Sequence, residues 1–535
     1  VQDYAKSLHP LDGAVVLAYL GFVVLVGLWF AKRQKSTEDY FVGGRAIPGW
    51  AAGISLFASS ISTVTFLAYP GHGYGKDWTL LLPCFMLPVV AFVLTLVIIP
   101  LYRQVVRMSA YEYLERRFGL GARGYAAILY ILLRLFRISF ILFLSAKALN
   151  TMTGWDIRYV ILACGLITLV YTVFGGVQAV IWTDVAQAVI FMGGGLLCAA
   201  ILLFSPEGGP MRVFEIAYDA DKFKMGELSW SLTRPTVTVM VLYGLFFFAT
   251  DFFTSQDYVQ RYLAVATTRK ACRGVWVGVC STMTTWLLFM FLGTLLFSYY
   301  TIYPDRLPAS IAADQEQVFP YFIMTRLPVG VVGLIVAAMC AAAMSTLSAV
   351  MNSMSMVTIY DFSARLWPNM PDHRQLLYGK LATLLWGLVG TAAALLMIRV
   401  QAALEFWYVV FSILLGGLLG MFLLAFFVRR AHAWGVYLGL AAGTLVTLWG
   451  TLARLGEVAR GWGFELPAIL QNVEWPLHPF LLVVCSNTTA FVVGYIASLI
   501  IPKPAGFDAS GLTVWDMRGE GEVAVEAEPV PVPAD

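Results

Sequence analysis

Charge is scarce in this sequence. Asp, Glu, Lys and Arg make up 13% of its 535 residues, about half of the ~25% found in a soluble domain. So few cannot cover the water-exposed surface of a chain this long. The 59% hydrophobic content and mean hydropathy of +0.77 suit an integral membrane protein instead. The net charge of +3 is small and dispersed, which excludes nucleic acid as a partner. Cysteine is also sparse: Cys84, Cys164, Cys198, Cys272, Cys280, Cys340 and Cys485 are odd in number and lie in or beside apolar stretches. With no CxxC and no Cys/His cluster, neither a disulfide framework nor a zinc site is supported. No nucleophile–base pair and no nucleotide-binding loop stands out, so the chain does not read as an enzyme. A basic n-region is missing before the first apolar stretch, which is therefore expected to stay as a membrane helix.

What the chain does have is long apolar runs. About thirteen stretches approach membrane-spanning length: 11–31, 48–72, 77–103, 124–150, 157–176, 178–205, 235–260, 271–300, 328–361, 377–398, 403–428, 432–453 and 478–501. An all-α integral membrane protein is expected. Basic residues cluster at alternate span ends. One set holds Lys32, Arg33, Lys35 and Arg45, then Arg103, Arg107, Arg116, Arg117 and Arg123, then Arg261, Arg269, Lys270 and Arg273. Arg365, Arg374, Lys380, Arg429 and Arg430 extend the series on the same side. The positive-inside rule then puts the N-terminus outside and the C-terminus inside. No linker divides the spans, so 1–501 is expected to be one transmembrane domain. Residues 502–535, rich in Pro and Glu, read as a disordered cytoplasmic tail.

Polar residues inside the spans point to function. The segment Ala58-Ser-Ser-Ile-Ser-Thr-Val-Thr65 crowds five hydroxyls into an apolar run. Lipid offers them no partners, so such a run belongs where the backbone opens onto a polar cavity or meets another helix. In transporters, openings of this kind hold ions and substrate. A second cluster, Ser345, Thr346 and Ser348, follows the small residues Ala341, Ala342 and Ala343. Its hydroxyls suit sodium, which prefers hard oxygen ligands, or they mark a packing seam bonded back to its own helix. Asp184, inside a span, is an ion-linked carboxylate or the partner of an arginine. Arg134 and Arg137 share one helix face, and near the midplane each costs about 3 kcal/mol to insert. The Arg137 fork suits a substrate carboxylate; the alternative is a structural pair with Asp184, Asp251 or Asp257.

Several segments, in order, carry a resemblance. They are Lys35-Ser-Thr-Glu-Asp-Tyr-Phe-Val-Gly-Gly44, Gly49-Trp-Ala-Ala-Gly-Ile-Ser-Leu-Phe-Ala-Ser-Ser-Ile-Ser62 and Ser109-Ala-Tyr-Glu-Tyr-Leu-Glu-Arg-Arg-Phe118. Gly175-Gly176 with Trp182-Thr-Asp-Val185, Thr254-Ser-Gln-Asp-Tyr-Val-Gln-Arg-Tyr262, and Asn352-Ser353 through Asp361 complete the set. Together they resemble the sodium:solute symporter family, and within it the bacterial sialic acid transporters. The resemblance implies a LeuT-like core of two inverted five-helix repeats over 48–428, in which 48–72 and 235–260 are equivalent first helices. It places a sodium ion on the carbonyls of Ala58, Ile61 and Ala342 and the hydroxyls of Ser345 and Thr346. A second sodium would use Asp184, Ser345 and Ser348, although Ala349 stands where that pattern has a hydroxyl. The solute would meet Ser60, Ser62, Thr65 and Arg137, whereas Cys84 and Ala249 replace two amide side chains of the subgroup.

The implied function is sodium-coupled import of a small polar organic solute, a sialic acid or related sugar acid, by alternating access. The alternatives are another solute (a neutral sugar, a monocarboxylate or an amino acid) or a proton-coupled carrier using Asp184. The expected setting is a monomer crossing a bacterial inner membrane many times, with sodium, solute and lipid as its partners.

Overall fold

The computed structural model describes residues 8–61, 63–398, 416–461, 473–504 and 507–517. Among these, regular structure is helical, apart from one isolated bridge between Ile47 and Val265. Its main helices are α1 (Pro10–Ala31), α2 (Gly49–Ser60), α3 (Thr63–Gly75), α4 (Thr79–Val105), α5 (Leu120–Thr153) and α6 (Ile157–Phe204). Then come α7 (Val237–Thr254), α8 (Gln256–Leu263), α9 (Thr268–Ile302), α10 (Val331–Val357) and α11 (Asp372–Met397). The last three are α12 (Leu418–Phe427), α13 (Ala433–Gly461) and α14 (Leu481–Ile500). Ten described helices are long and apolar enough to cross a membrane, and the bent pair α2–α3 makes eleven. The expected boundary near 177 falls inside α6, at Gly176 (φ 57°, ψ −159°). There a Cβ would lie 2.7 and 2.8 Å from the ring and carbonyl of Tyr40, so only glycine fits this left-handed position. Half of the expected 403–428 span lies outside the described residues, and α12 is its described end.

The chain is arranged around α10, in which every residue from Ile335 to Val357 is buried. A helix hydrophobic on all sides and rich in Ala and Ser belongs at the centre of a bundle. Its N-terminus is capped from another element: the Asp12 carboxylate of α1 accepts from the Gly330 and Gly333 amides at 2.6 and 2.8 Å. A carboxylate there satisfies unpaired N–H groups and complements the helix dipole. The outer face of α1 shows Leu17, Leu25 and Trp29, as a lipid-facing helix should. Helices α2 and α9 cross almost backbone to backbone, since a Cβ at Gly53 would meet the Gly274 carbonyl at 2.1 Å. Such closeness is how glycine pairs join membrane helices.

At the other end, Arg117 is buried rather than solvated in a loop. It donates to the carbonyls of Ala425, Val428 and Ala431 at 3.2, 2.6 and 3.2 Å, closing the C-terminal end of α12 with a cation. Residues 507–517, within the segment expected to be an extension, lie against this end. Tyr113 donates to the Leu512 carbonyl at 2.8 Å, Trp515 to the Phe427 carbonyl at 2.7 Å, and Arg429 to Asp516 at 2.7 Å. The Thr513 hydroxyl also donates to Asp516 and holds its carboxyl below the usual range.

Candidate ion and solute site

Helix α2 stops at Ile61, whose backbone is extended (φ −93°, ψ 138°), and the chain turns by 63° before α3 continues. A helix end leaves carbonyls without amide partners and carries a partial negative charge. Here those carbonyls face α10. Ser345 Oγ lies 3.1 Å from the Ala58 carbonyl and 3.2 Å from that of Ala342. Thr346 Oγ1 lies 3.0 Å from the Ile61 carbonyl and 3.4 Å from that of Ala342. Three carbonyls and two hydroxyls named from the sequence thus converge on one buried point. The set is neutral and all oxygen, which fits a hard monovalent cation such as sodium. No cluster of three or more His, Cys, Asp or Glu is found among the described residues.

Asp184 is buried at the middle of α6 and pairs with an arginine. It makes no hydrogen bond to Ser345 or Ser348. Its Oδ2 accepts from Ser55 Oγ at 2.5 Å and from Arg261 Nη2 at 3.3 Å. Arg261 also donates to Ser55 at 2.8 Å, Ser59 at 2.7 Å and the Asp257 carbonyl at 2.5 Å. The pairing with an arginine is thus present on Oδ2. Ser348 donates to the Ser345 carbonyl within its own helix at 3.0 Å. Asp184 Oδ1 is buried with no protein partner among the described residues.

The expected solute residues surround the same break. Ser60 donates to the Phe57 carbonyl at 2.7 Å and lies 3.4 Å from Thr282 on α9. Thr65 is buried one turn further on, and Ser62 lies outside the described residues. Arg137 reaches the break from α5, its Nη2 at 3.4 Å from the Ser59 carbonyl and its Nη1 at 3.8 Å from Asp251. Arg134 is a structural arginine: buried, it binds Asp251 at 3.1 Å and Asp257 at 2.8 Å. Since Arg134 holds both acids, Arg137 keeps only a long contact to one of them. Cys84 and Ala249, where the subgroup carries amides, are buried. Beyond Thr65, the Trp286 ring packs at a tilt against Tyr69 and Phe248, with centroids 5.1 and 5.6 Å apart.

Next to the site, buried polar contacts link α8 and its neighbours. Helix α7 breaks at Ser255 (φ −87°, ψ 128°), and all eight residues of the following α8 are buried. Gln260 donates to the Phe41 carbonyl at 2.5 Å and to Asn352 at 2.6 Å. Tyr130 joins Asp257 at 3.1 Å to Ser353 at 2.7 Å. Arg123 binds Asp361 at 2.6 Å while Ser109 donates to the same carboxylate at 2.6 Å. Arg123 and Arg261, expected at exposed span ends, are thus buried and ion-paired. A signal was present for α8: Gln256, Asp257, Gln260 and Arg261 recur at the spacing of one helix face.

Comparison with known proteins bears on what this arrangement serves. The profile of the sodium:solute symporter family matches residues 40–443. The sodium/sialic acid symporter of Aliivibrio fischeri is 35% identical over 450 residues, 83% of this chain and 88% of the relative. That of Proteus mirabilis is 34% identical, over 84% of this chain and 90% of the relative. A solved structure of a Na+-coupled sialic acid symporter, substrate-bound and outward-open, superposes with a TM-score of 0.80 and 30% identity. The match covers 92% of this chain and 98% of that one.

Proposed function

The chain belongs to the sodium:solute symporter family, and from that premise we propose that it imports a sialic acid or related sugar acid together with sodium by alternating access. It is a multi-pass membrane transporter and not an enzyme. The observation that carries the reading is the convergence of the Ala58, Ile61 and Ala342 carbonyls with the Ser345 and Thr346 hydroxyls at the α2 break. Sodium bound there ties the broken helix to α10, which fixes the hydroxyls of Ser60, Ser62 and Thr65 on the adjoining turns. Arg137, incompletely neutralised by Asp251, then receives the solute carboxylate. The polar contacts of α8 open afterwards, and sodium leaves into a compartment where its concentration is low.

The proposed topology has thirteen spans, counting two helices across Gly176 and one ending in α12, with the N-terminus outside and the chain acting as a monomer in a bacterial inner membrane. Breaks at Ile61 and Ser255, each in the expected first helix of a repeat, support two inverted five-helix repeats. The charges support an anionic solute. Arg134, Arg137, Asp251 and Asp257 balance one another, so one sodium and one carboxylate enter together without leaving a net buried charge. The test is a thermal-shift screen of the purified chain against sialic acids, neutral sugars, sugar acids and short carboxylates, with and without sodium. A shift that needs both sodium and a sialic acid or sugar acid supports the reading, and one given only by neutral sugars overturns it.

A further inference from the structure

A cavity of about 770 Å³ opens beside the continuation of α10 and the first half of α11, away from the ion site. Its inner wall includes Ile359, in the helical turn Thr358–Ser363 that carries Asp361. Its outer wall is α11, where Tyr378, Leu381 and Leu385 line it and are 47%, 48% and 53% exposed. Such exposure on a membrane helix means contact with acyl chains. Trp367, just before α11, and Arg374, in its first turn, are exposed and line the end that serves as its mouth. Thirteen residues separate Asp372 from Leu385, roughly 20 Å of helix. That is about one leaflet of a ~30 Å hydrocarbon core plus part of its polar margin.

The mouth is where the charge lies. Arg374 is exposed and has no acidic partner among the described residues, whereas nearby Arg365 pairs with Glu115 and Lys380 lies over the Tyr40 ring. A tryptophan and an arginine beside the start of a membrane helix mark the interface between hydrocarbon and headgroups. We infer that this cavity binds one anionic glycerophospholipid, its phosphate on Arg374 and an acyl chain along Tyr378, Leu381 and Leu385. A free phosphate would leave the apolar length of the groove uncovered. Basic pockets at this depth between helices recognise acidic lipid headgroups. The inference needs only the membrane setting and does not depend on which solute is carried.

The experiment is native mass spectrometry of the full chain after exposure to equal amounts of phosphatidylglycerol and phosphatidylcholine with identical chains. One phosphatidylglycerol should be retained about five-fold over phosphatidylcholine, as expected of one basic contact. Arg374→Ala should bring the ratio close to one. Leu381→Trp should lower retention of both lipids, while Arg212→Ala, an exposed arginine elsewhere, leaves the ratio unchanged. Should Arg374→Ala fail to fold, Arg374→Gln is compared in the same way. Equal retention by the unaltered chain, a ratio insensitive to Arg374, or displacement of the lipid by equimolar glycerol phosphate would each overturn the assignment.

Discussion

The Thr346 hydroxyl stands 3.0 Å from the Ile61 carbonyl oxygen, joining residues 285 positions apart. Ile61 is the extended residue that ends α2, so its carbonyl has no helical amide to accept from. Two hydroxyls of α10 meet this end at membrane depth, and under the proposed function a sodium between them would complete it.

Thr346→Ala should therefore raise the sodium concentration for half-maximal uptake. A contact with a charged partner contributes about 1.5–3 kcal/mol, or roughly 10- to 100-fold in affinity. Ser345→Ala should behave alike, and Ser348→Ala, whose hydroxyl returns to its own helix, should change little. Sodium titration of uptake into proteoliposomes checks this; an unaltered Thr346→Ala curve places the ion elsewhere.

Replacing sodium by choline at fixed pH should lower the melting temperature of the unaltered chain. A ligand at 100 times its Kd stabilises by about 2.7 kcal/mol, and Thr346→Ala should lose much of this difference. A proton-coupled carrier would melt alike in both salts, and that result would remove sodium from the mechanism.

How much of this could be read beforehand differs between the two halves of the site. Hydroxyls in an apolar run are a local anomaly, so an opening near 58–65 was legible from the residues, whereas its partners on α10 came only from the resemblance. Gly175-Gly176 likewise marked a real interruption. The arginines were not legible, because positive-inside reasoning treats an arginine near a span end as solvated. Arg261 instead meets Asp184 across 77 positions, and Arg123 meets Asp361 across 238. Helical periodicity carries no record of pairings that distant. The same blindness left Asp184 open between an ion and an arginine until its neighbours were in place.

Arg134 and Arg137, one turn apart, should respond differently to substitution. Arg134→Met leaves Asp251 and Asp257 without their shared cation, and breaking a buried pair costs about 3–5 kcal/mol. Its main effect should be a large fall in thermal stability. Arg137→Met, with its contact at 3.8 Å, should fold near normally yet lose sodium-dependent binding of acidic solutes. Melting curves with binding measurements on both variants decide it; retained binding by Arg137→Met returns that residue to structure.

Asp184 and Arg261 should prove coupled to each other. Asp184→Asn alone strands a buried guanidinium and should destabilise by about 3–5 kcal/mol, while Asp184→Asn with Arg261→Gln should recover much of that loss. A double-mutant cycle on thermal stability measures the coupling. Strictly additive effects would mean that Asp184 answers to another charge, such as a second cation.

The last prediction concerns electrical balance. Ala349 has no hydroxyl to offer, and both hydrogen bonds to Asp184 end on Oδ2, from Ser55 and Arg261. One sodium, at the α2 break, is the count this arrangement favours. One sodium with one monocarboxylate moves no net charge, so uptake should be unaffected by membrane potential. A second sodium would move one charge per cycle, coupling uptake to about 2.3 kcal/mol per 100 mV. Proteoliposomes carrying a potassium diffusion potential, with solid-supported-membrane recordings beside them, separate the two. A solute-evoked current of one charge per acidic solute would restore Asp184, Ser345 and Ser348 as a second site. The ion would then meet Asp184 through Oδ1, the oxygen that Ser55 and Arg261 leave free.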